Sequence, residues 1–309
     1  MLSVGFTCGD PGGIGPEIIL DIILQNQKNP RFRPIIFGPI ELKTLPYFNN
    51  QWKTVTWISN TSKIPFTQGE TSAANGQHAY ESVFNAVKYA QSGKIQALVT
   101  APLSKTALKL ANLPYTGHTS LLKKLTGSKN ISMAFYSKPL TLILNSIHCP
   151  LKNVPLSLTP SHLGKTIENS YLLAKHLKLT HPKIAIAGLN PHAGEGGLLG
   201  TEEQEILIPF LKNWNQKHDI PILGPFSPDT LFYRAIQKEF DIVIALYHDQ
   251  GLIALKTVAF DSAVNLTIGL PFIRTSPDHG TAFDIAYRHK ASSNSISAAT
   301  ALAIRLAQS

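Results

Sequence analysis

Three histidines, each just past the end of a short apolar run, are the residues best suited to chemistry in this sequence. The runs and their histidines are 140–147 (LTLILNSI) with His148, 183–189 (KIAIAGL) with His192, and 242–246 (IVIAL) with His248. Apolar runs of this length predict strands buried on both faces, as in a parallel sheet. Because ligands bind at the carboxyl ends of parallel strands, we expect the three histidines to meet at one edge of a sheet.

The spacing of these histidines suits a site assembled from separate strand ends. They are 44 and 56 residues apart (192 − 148 and 248 − 192), unlike the local spacing of a zinc finger or an HExxH helix. Three imidazoles with an open fourth position describe a catalytic divalent-metal site, which can bind a substrate hydroxyl and stabilise its alkoxide. A single histidine at a strand end is more often a hydrogen-bonding group, but three in equivalent positions favour a metal.

Cationic side chains near predicted strand ends indicate a small anionic substrate. They are Lys105, Lys256 and Arg274. An arginine after a buried strand can bind a phosphate or carboxylate through two parallel hydrogen bonds. Each cation alone is more often a surface charge, but their grouping with the histidines favours anion binding. The loop 190–197 (NPHAGEGG) adds glycines that let the backbone approach a ligand, although an ordinary surface loop has the same composition.

A glycine-rich loop follows the first predicted strand and leads into a helix. Its glycines at positions 9, 12, 13 and 15 match neither GxGxxG nor a Walker loop. Such a loop can place an anion at a helix N-terminus, so Gly12, Gly13 and Gly15 are candidates for cofactor contacts. A tight structural turn is an equally good interpretation.

Composition limits the classes of function. The chain has 309 residues, a net charge of +9 and 43% apolar residues, and no apolar run approaches the roughly 20 residues of a membrane helix. The basic residues form no long run and no nucleic-acid-binding motif, so small anionic ligands explain the charge better than nucleic acid. Two cysteines form no disulfide framework, and we expect a reduced, cytoplasmic setting without membrane or nucleic-acid partners.

The predicted elements alternate between strands and helices, which indicates an α/β fold with a mostly parallel sheet. Predicted strands cover 2–7, 33–37, 53–58, 95–100, 131–136, 140–147, 183–187, 242–246 and 264–268. Predicted helices cover 17–25, 76–92, 164–177, 202–216, 230–238 and 296–307. Another helix begins at 117–120 (GHTS), with Thr119 or Ser120 able to cap it.

Eight sequence blocks together resemble the 4-hydroxythreonine-4-phosphate dehydrogenase family of vitamin B6 biosynthesis. The blocks are GDPGGIGPE from Gly9, VTAPLSK from Val99, TGHTS from Thr116, HCPL from His148, NPHAGEGGLLGTEE from Asn190, PDTLF from Pro228, YHDQGLIALK from Tyr247 and VNLTIGLPFIRTSPDHGTA from Val264. They extend from residue 9 to residue 282 and so cover nearly the whole chain.

The resemblance implies an isocitrate/isopropylmalate-dehydrogenase-like fold, with two α/β/α domains and a cleft between them. The domains expected are 1–111 plus 289–309, contributing to the NAD cleft, and 112–288, with the metal site, the substrate site and the dimer interface. The implied reaction is NAD- or NADP-dependent oxidation of 4-phosphooxy-L-threonine to a β-keto acid, which then loses CO2. It further implies a homodimer with the active site at its interface and one divalent ion, Zn, Co or Mg, per site.

The resemblance also assigns roles to residues. The metal ligands would be His148, His192 and His248, one of them supplied across the dimer interface. Substrate contacts would fall on His118, Thr119, Lys256, Asn265 and Arg274. Asp229 and Asp249 would orient the histidines. Lys256, His248 and Asp249 are the candidate catalytic residues, with Lys256 assisting proton transfer.

Two departures from the family pattern and three alternatives remain open. The family usually has alanine at position 12 and glutamate at position 120; Gly12 is expected to be harmless, whereas Ser120 puts the substrate preference in doubt. One alternative is a dehydrogenase of another four-carbon hydroxy-acid phosphate, such as threonate or erythronate phosphate. The others are an acyltransferase of similar fold and, least favoured, a non-catalytic binding protein.

Overall fold

The computed structural model describes residues 1–48, 51–52 and 55–308. These residues form two compact units. Unit 1 comprises Met1–Lys129 and Leu270–Gln308, and unit 2 comprises Asn130–Gly269. The boundaries fall 18 residues after the expected break at 111 (129 − 111) and 19 residues before the one at 288 (288 − 269). His118, Thr119 and Arg274, which we expected in the second domain, therefore belong to unit 1.

Alternating strands and helices make up both units. The strands are β1 Ser3–Thr7, β2 Arg33–Gly38, β3 Thr56–Ser59, β4 Ala97–Thr100, β5 Ser132–Tyr136, β6 Thr141–Leu144, β7 Ile184–Ala187, β8 Ile222–Phe226, β9 Ile242–Ala245, β10 Val264–Ile268 and β11 Ile273–Pro277. The α-helices are α1 Gly15–Lys28, α2 Glu41–Thr44, α3 Ala73–Gln91, α4 Lys105–Leu110, α5 His118–Thr126, α6 Pro160–His176, α7 Ile208–Asn215, α8 Pro228–Ile236, α9 His248–Ala259 and α10 Asn294–Ala307.

In unit 1 the strands form a parallel sheet in the order β3-β2-β1-β4-β11. Strands β1 and β4 lie inside the sheet and are almost entirely buried, as their apolar sequences require. Side-chain caps start two of the helices in this unit: Ser72 accepts a hydrogen bond from Asn75 N, and Ser104 accepts one from Ala107 N. These caps satisfy backbone groups that a helix start leaves unpaired.

In unit 2 the strand order is β10-β5-β6-β9-β7-β8. The β10–β5 and β5–β6 pairs are antiparallel, whereas β6, β9, β7 and β8 run parallel to one another. Strands β6, β7 and β9 are wholly buried. Helix α6 begins at Pro160 behind Thr159, which accepts a hydrogen bond from His162 N. The α/β class is thus confirmed, and the mixed part of the sheet is confined to one side of unit 2.

Most of the predicted elements are confirmed with small shifts at their ends. Strand β3 covers only part of the expected run 53–58, whose residues 53 and 54 lie outside the described chain. The expected single helix 202–216 is a π-helical turn, Glu203–Leu207, followed by α7. The prediction missed β8, β11, α2, α4 and α9. Within the residues that the structure describes, no helix is both long and apolar enough to cross a bilayer.

Candidate functional site

The three candidate histidines of unit 2 follow three neighbouring parallel strands. His148 lies beyond β6, His248 is the first residue of α9 after β9, and His192 lies in the 3-10 segment Pro191–Gly197 after β7. Since β9 pairs with β6 on one side and with β7 on the other, the strand of His248 is the central one. The expected common edge of the sheet is therefore present.

His148 and His248 form a pair. Their ring centroids are 5.5 Å apart and their planes are tilted by 42°. His248 Nδ1 lies 2.6 Å from Asp249 Oδ1, and its side chain is 37% exposed. A proton on Nδ1 donated to this carboxylate leaves the lone pair of Nε2 available, which is the arrangement of a metal-ligating histidine. The contact is compatible with the orienting role expected of Asp249, which stays a prediction.

His192 lies in a strained loop and has a different acidic neighbour. Its φ is +50°, and Ala193 and Glu195 also have positive φ, at +51° and +43°. Asp229, at the start of α8, lies close enough for the charge of His192 to act on it. A hydrogen bond from Ser227 Oγ, 2.5 Å away, is the largest of the effects that lower the pKa of Asp229, and His192 adds a smaller one.

Two of the three expected ligands are brought together, and the third is not grouped with them. Within residues 1–48, 51–52 and 55–308, no set of three or more His, Cys, Asp or Glu side chains is arranged to hold a metal ion. His148 and His192 are both exposed. The chain alone therefore presents a histidine pair with a carboxylate behind it, at the edge where we expected three ligands.

The remaining candidates of unit 2 lie further from this pair. Lys256 is on α9, eight residues after His248, which places it about 12 Å along the helix axis. Its Nζ lies 5.8 Å from the centroid of the Phe260 ring. Asn265 is on β10, paired with Phe135 of β5. The roles expected for Lys256 and Asn265 remain predictions.

A buried arginine dominates the polar interior of unit 1. Arg274 on β11 is 4% exposed, and its Nε and Nη2 donate hydrogen bonds to Thr100 Oγ1 at 3.1 and 2.6 Å. Burial lowers its pKa from 12.5 to about 9, so the guanidinium remains positively charged at neutral pH. A buried guanidinium is a group that can bind an anion.

His118 lies at the first position of α5, within reach of the charge of Arg274. Its Nε2 is buried and has no hydrogen-bond partner among the residues that the structure describes. Burial, and then the positive charge of Arg274, hold the pKa of His118 well below its usual range, so the imidazole is neutral. The stem of Lys105 passes beside Gly117, because a Cβ on that glycine would lie 3.6 Å from Lys105 Cε. These groups form a polar cluster, with Thr119 next in the helix.

The expected cap of α5 is wrong. The N-cap residue is Gly117, with φ of +142° and no side-chain cap. Ser120 Oγ instead accepts a hydrogen bond from Thr116 N at 2.9 Å and donates one to Gly117 O at 3.1 Å. The hydroxyl is thus engaged by the preceding turn, because a serine in the first helical turn can reach back to it.

The glycine-rich loop after β1 is packed against the protein itself. Gly12 N donates to Asp10 Oδ1 and Gly13 N to Asp10 O, each at 3.0 Å, and Ile14 N donates to Thr281 O at 2.9 Å. A Cβ on Gly15 would lie 2.2 Å from Cys8 O. These contacts favour the structural-turn interpretation, and the cofactor contacts of Gly12, Gly13 and Gly15 remain predictions.

Gly12 is not interchangeable with alanine in this chain. A Cβ there would lie 2.3 Å from both Asn75 Nδ2 and Thr67 O, and 2.9 Å from Glu70 O. Asn75 Nδ2 donates to both of these carbonyls at 2.9 Å, so the methyl group would enter a formed hydrogen-bond network. Asn75 and the segment behind it therefore occupy the space that an alanine would require, and the glycine fits the space that is left. That this departure from the family pattern is harmless stays a prediction.

Three further residues lie within the eight sequence blocks, but no role was assigned to them from the sequence. Thr100 receives the hydrogen bonds of Arg274, a pairing across 174 residues that no local pattern reveals. Gln250 and Glu203 are buried, at 9% and 1% exposure, beside the loops of His248 and His192. A signal was present in each case, since polar residues stand within or next to runs that are otherwise apolar.

The chain is similar to known proteins over nearly its whole length. The family model of the pyridoxal phosphate biosynthetic protein PdxA matches residues 24–303. A 4-hydroxythreonine-4-phosphate dehydrogenase of Desulfosudis oleivorans is 38% identical, covering 97% of this chain and 95% of that protein. A D-threonate 4-phosphate dehydrogenase of Salmonella typhimurium is 39% identical, with 99% of each covered.

Solved structures give the same result. The crystal structure of a 4-hydroxythreonine-4-phosphate dehydrogenase from Klebsiella pneumoniae superimposes with a TM-score of 0.88 at 35% identity and covers 100% of both chains. The resemblance carried by the eight sequence blocks is thereby confirmed. With a matching family model over most of its length and relatives of this similarity, the chain belongs to the PdxA family of pyridoxal phosphate biosynthetic proteins.

Proposed function

We propose that the chain is a dehydrogenase that oxidises 4-phosphooxy-L-threonine at its secondary hydroxyl, with NAD or NADP as the electron acceptor. The product, 2-amino-3-oxo-4-phosphooxybutanoate, then loses CO2 to give 3-amino-2-oxopropyl phosphate, a step in pyridoxal 5'-phosphate synthesis. The observation that carries the proposal is the histidine pair at adjacent strand ends, with His248 held by Asp249. An acyltransferase is set aside, because the relatives at 38% and 39% identity are dehydrogenases.

The residues around the histidine pair fit a divalent metal. His148 and His248 present two imidazoles at a spacing that one ion can bridge, and Asp249 fixes the tautomer of His248. When bound, a divalent cation supplies Lewis acidity toward the substrate hydroxyl. The chain's own contribution is to hold the two rings in place and to leave the pair open to substrate. Imidazole ligands suit zinc and cobalt better than magnesium.

A second copy of the chain completing the ligand set is part of the proposal. Three ligands are expected, and one chain groups two of them. The histidine loops and the helix α9 also expose large apolar side chains: Leu151 67%, Leu198 83%, Ile253 67% and Phe260 73%. Apolar side chains exposed to this degree on one unit support burial against another protein surface. A homodimer with the metal between its subunits accounts for both features.

We assign the substrate phosphate to the polar cluster of unit 1. Arg274 offers a positive charge that burial makes costly and that an anion would compensate. His118 Nε2 is buried and has no hydrogen-bond partner among the described residues, and it gains one when an anion or a hydroxyl arrives. Thr119, together with the backbone N–H groups at the start of α5, adds donors of the type that bind phosphate. Neutral His118 and cationic Arg274 would keep the charge of this cluster constant from about pH 7 to pH 8.

D-threonate 4-phosphate is the second candidate substrate. The 39% identical relative from Salmonella typhimurium carries that activity in its name. Ser120 supports this alternative, because the family pattern has a glutamate at this position and serine supplies no carboxylate. The serine hydroxyl is bonded to Thr116 and Gly117. A glutamate there would add a carboxylate able to pair with an amino group, and threonate phosphate has no amino group.

Reduction of NAD, followed at 340 nm, tests the function and separates the substrates. The assay compares kcat/KM for 4-phosphooxy-L-threonine and D-threonate 4-phosphate, each with NAD and with NADP, before and after removal of metal by a chelator. We expect activity that the chelator abolishes and that added zinc or cobalt restores. No turnover of either phosphate would refute the proposal, whereas turnover of threonate phosphate alone would transfer it to the second substrate.

The state of the cysteines bears on where the enzyme is located in the cell. We propose a cytoplasmic enzyme, since its two cysteines are free thiols, Cys8 buried and Cys149 exposed. Separation of cell fractions followed by the same absorbance assay tests this placement, and activity confined to the membrane fraction would contradict it.

A further inference from the structure

The side-chain amide of Gln250 joins the roots of two histidine loops. Its Nε2 donates to Gly188 O and its Oε1 accepts from Leu246 N, both at 2.7 Å. Gly188 directly follows β7, at the root of the loop that carries His192. Leu246 directly follows β9, two residues before His248. Gln250 itself is 9% exposed and lies in the first turn of α9.

The register of β7 and β9 explains why an amide is needed here. Ile184 pairs with Ile242, and Ile186 pairs with Ile244, so Gly188 and Leu246 stand at the next position of the ladder. At this position Gly188 O and Leu246 N are bonded to the side-chain amide of Gln250 and not to each other. A primary amide is both donor and acceptor, like the peptide group it replaces. It therefore ends the ladder and holds the two strands at a fixed separation.

The backbone carbonyl of Leu246 is bonded to the segment that leads to His148. It accepts hydrogen bonds from Ser146 N at 3.1 Å and from Ser146 Oγ at 2.8 Å. Ser146 stands two residues before His148. The hydrogen bonds of Leu246 and Gln250 therefore link the backbone segments that lead to His148, His192 and His248.

A buried carboxylate fixes the next residues of the His192 loop. Glu203 Oε1 accepts from Leu189 N at 2.6 Å and from Asn190 N at 2.8 Å, and Oε2 accepts from Asn190 Nδ2 at 2.9 Å. Glu203 is 1% exposed, so these bonds are shielded from water. A Cβ on Gly194 would lie 2.8 Å from Glu203 Oε2, which shows how closely the loop is folded around the carboxylate.

We propose that Gln250 and Glu203 are positioning residues for metal binding. The Gln250 amide sets the separation between the His248 and His192 loop roots, and the Glu203 carboxylate fixes the backbone that leads to His192. The effect on metal binding rests on the proposed function. The effect of the two side chains on the backbone of these segments does not. Neither side chain is expected to touch the metal.

Three substitutions test these roles. Gln250→Asn keeps an amide but is one methylene too short to reach both backbone groups. Gln250→Glu keeps the length but loses the donor to Gly188 O. Glu203→Gln keeps the length and one acceptor but sets an amide donor against the Asn190 amide. Two control variants accompany them: Gln216→Glu at an exposed position, and Leu173→Ala, which weakens the core of unit 2 on α6.

The first measurement is the affinity of the metal-free protein for cobalt(II), titrated by its absorbance without substrate or cofactor. We expect the dissociation constant to rise about 10–100-fold in the three variants, the usual effect of losing an outer-shell partner. Gln216→Glu and Leu173→Ala should stay within about twofold of the wild type at a temperature well below unfolding. Wild-type affinity in Gln250→Asn and Glu203→Gln would overturn the proposal, as would an equal loss in Leu173→Ala.

The second measurement needs no metal. Amide hydrogen exchange, followed by mass spectrometry, should become about tenfold faster in the segments 188–200 and 246–250 of the Gln250 variants and in the segment 188–200 of Glu203→Gln, and remain unchanged in unit 1. If the wild-type protein binds no cobalt, the metal part of the proposed function fails and the exchange data decide the bracing role alone. Unchanged exchange, or acceleration spread evenly over unit 2, would overturn it.

Discussion

Asp10 provides a quantitative test of the glycine-rich loop. Its carboxyl group is fully buried just after β1, and Oδ1 accepts a hydrogen bond from Gly12 N at 3.0 Å. Oδ2 has no hydrogen-bond partner within the described part of the chain. Burial raises the pKa of Asp10 from 3.8 to about 6, against the opposing effect of the hydrogen bond from Gly12 N. The folded protein therefore holds this proton over a pH range in which the unfolded chain has released it.

This shift predicts both the sign and the size of a pH effect on stability. Between about pH 4 and pH 6 the folded state binds more protons than the unfolded state, so the contribution of Asp10 to stability falls as the pH rises. A shift from 3.8 to about 6 corresponds to about 3 kcal/mol of destabilisation at pH 7.5. Asp10→Asn removes this ionisation but leaves an amide donor unpaired, at a pH-independent cost of about 1–3 kcal/mol.

The difference in stability between Asp10→Asn and wild type should thus shift by about 2–2.5 kcal/mol between pH 4 and pH 7.5, in favour of the variant at the higher pH. Urea unfolding measures it in a Trp214→Phe background, in which the fluorescence of Trp52 and Trp57 reports on unit 1. Asp21→Asn, an exposed aspartate on α1, is the matched control. A difference that stays constant with pH would refute the burial argument. If the loop is a structural turn, KM for NAD should also remain within about threefold of wild type.

Two further predictions concern single side chains. Asp249→Ala should weaken cobalt binding about tenfold, because it removes the acceptor that holds His248 Nδ1; equilibrium dialysis measures this, and unchanged affinity would contradict the orienting role. Gly12→Ala should destabilise unit 1 by about 1–3 kcal/mol in urea unfolding, since its methyl would lie 2.3 Å from two polar atoms. Gly280→Ala, which places a methyl in open space, is the control, and equal stability of the two variants would contradict the steric argument.

The sequence was sufficient to predict that three histidines stand at strand ends, but not how the strands are ordered. Along the chain the histidines occur as His148, His192 and His248, whereas their strands lie in the order β6-β9-β7. Apolar runs identify buried strands, yet their neighbours are decided by packing between distant segments. The pairing of His148 with His248, rather than with His192, is a consequence of that order.

Helix α9 shows a second limit of the sequence. The sequence predicts no helix directly after the strand 242–246, and the structure makes His248 the first residue of a helix. Gly251 within that helix weakens the helical signal, but it is buried, where a Cβ would lie 3.0 Å from Ala245 Cβ. Tertiary packing therefore overrides local propensity. Because of this helix, Lys256 lies two turns from the histidine it was expected to assist.

We expect Arg274 to link the folding of unit 1 to the binding of an anion. Burial lowers its pKa from 12.5 to about 9, so the charged guanidinium costs up to about 5 kcal/mol more in the folded protein than in the unfolded chain. The lowered pKa means that the unfolded state binds the proton more tightly, and this cost is present at every pH below about 9. An anion beside the guanidinium should recover part of it. The free protein should accordingly gain stability from phosphate by more than ionic strength alone provides.

Inorganic phosphate tests this linkage. Urea unfolding of unit 1, followed in the Trp214→Phe background with sodium chloride at matched ionic strength as reference, should show stabilisation of about 2.7 kcal/mol at a hundredfold excess over the dissociation constant. Arg274→Met should lose the phosphate response, because it removes the guanidinium that is proposed to bind the anion. Arg305→Met, at an exposed position on α10, should keep that response. A full stabilisation by phosphate in Arg274→Met would show that the phosphate does not bind at Arg274. It would refute the assignment of the substrate phosphate to the cluster of Arg274 and His118.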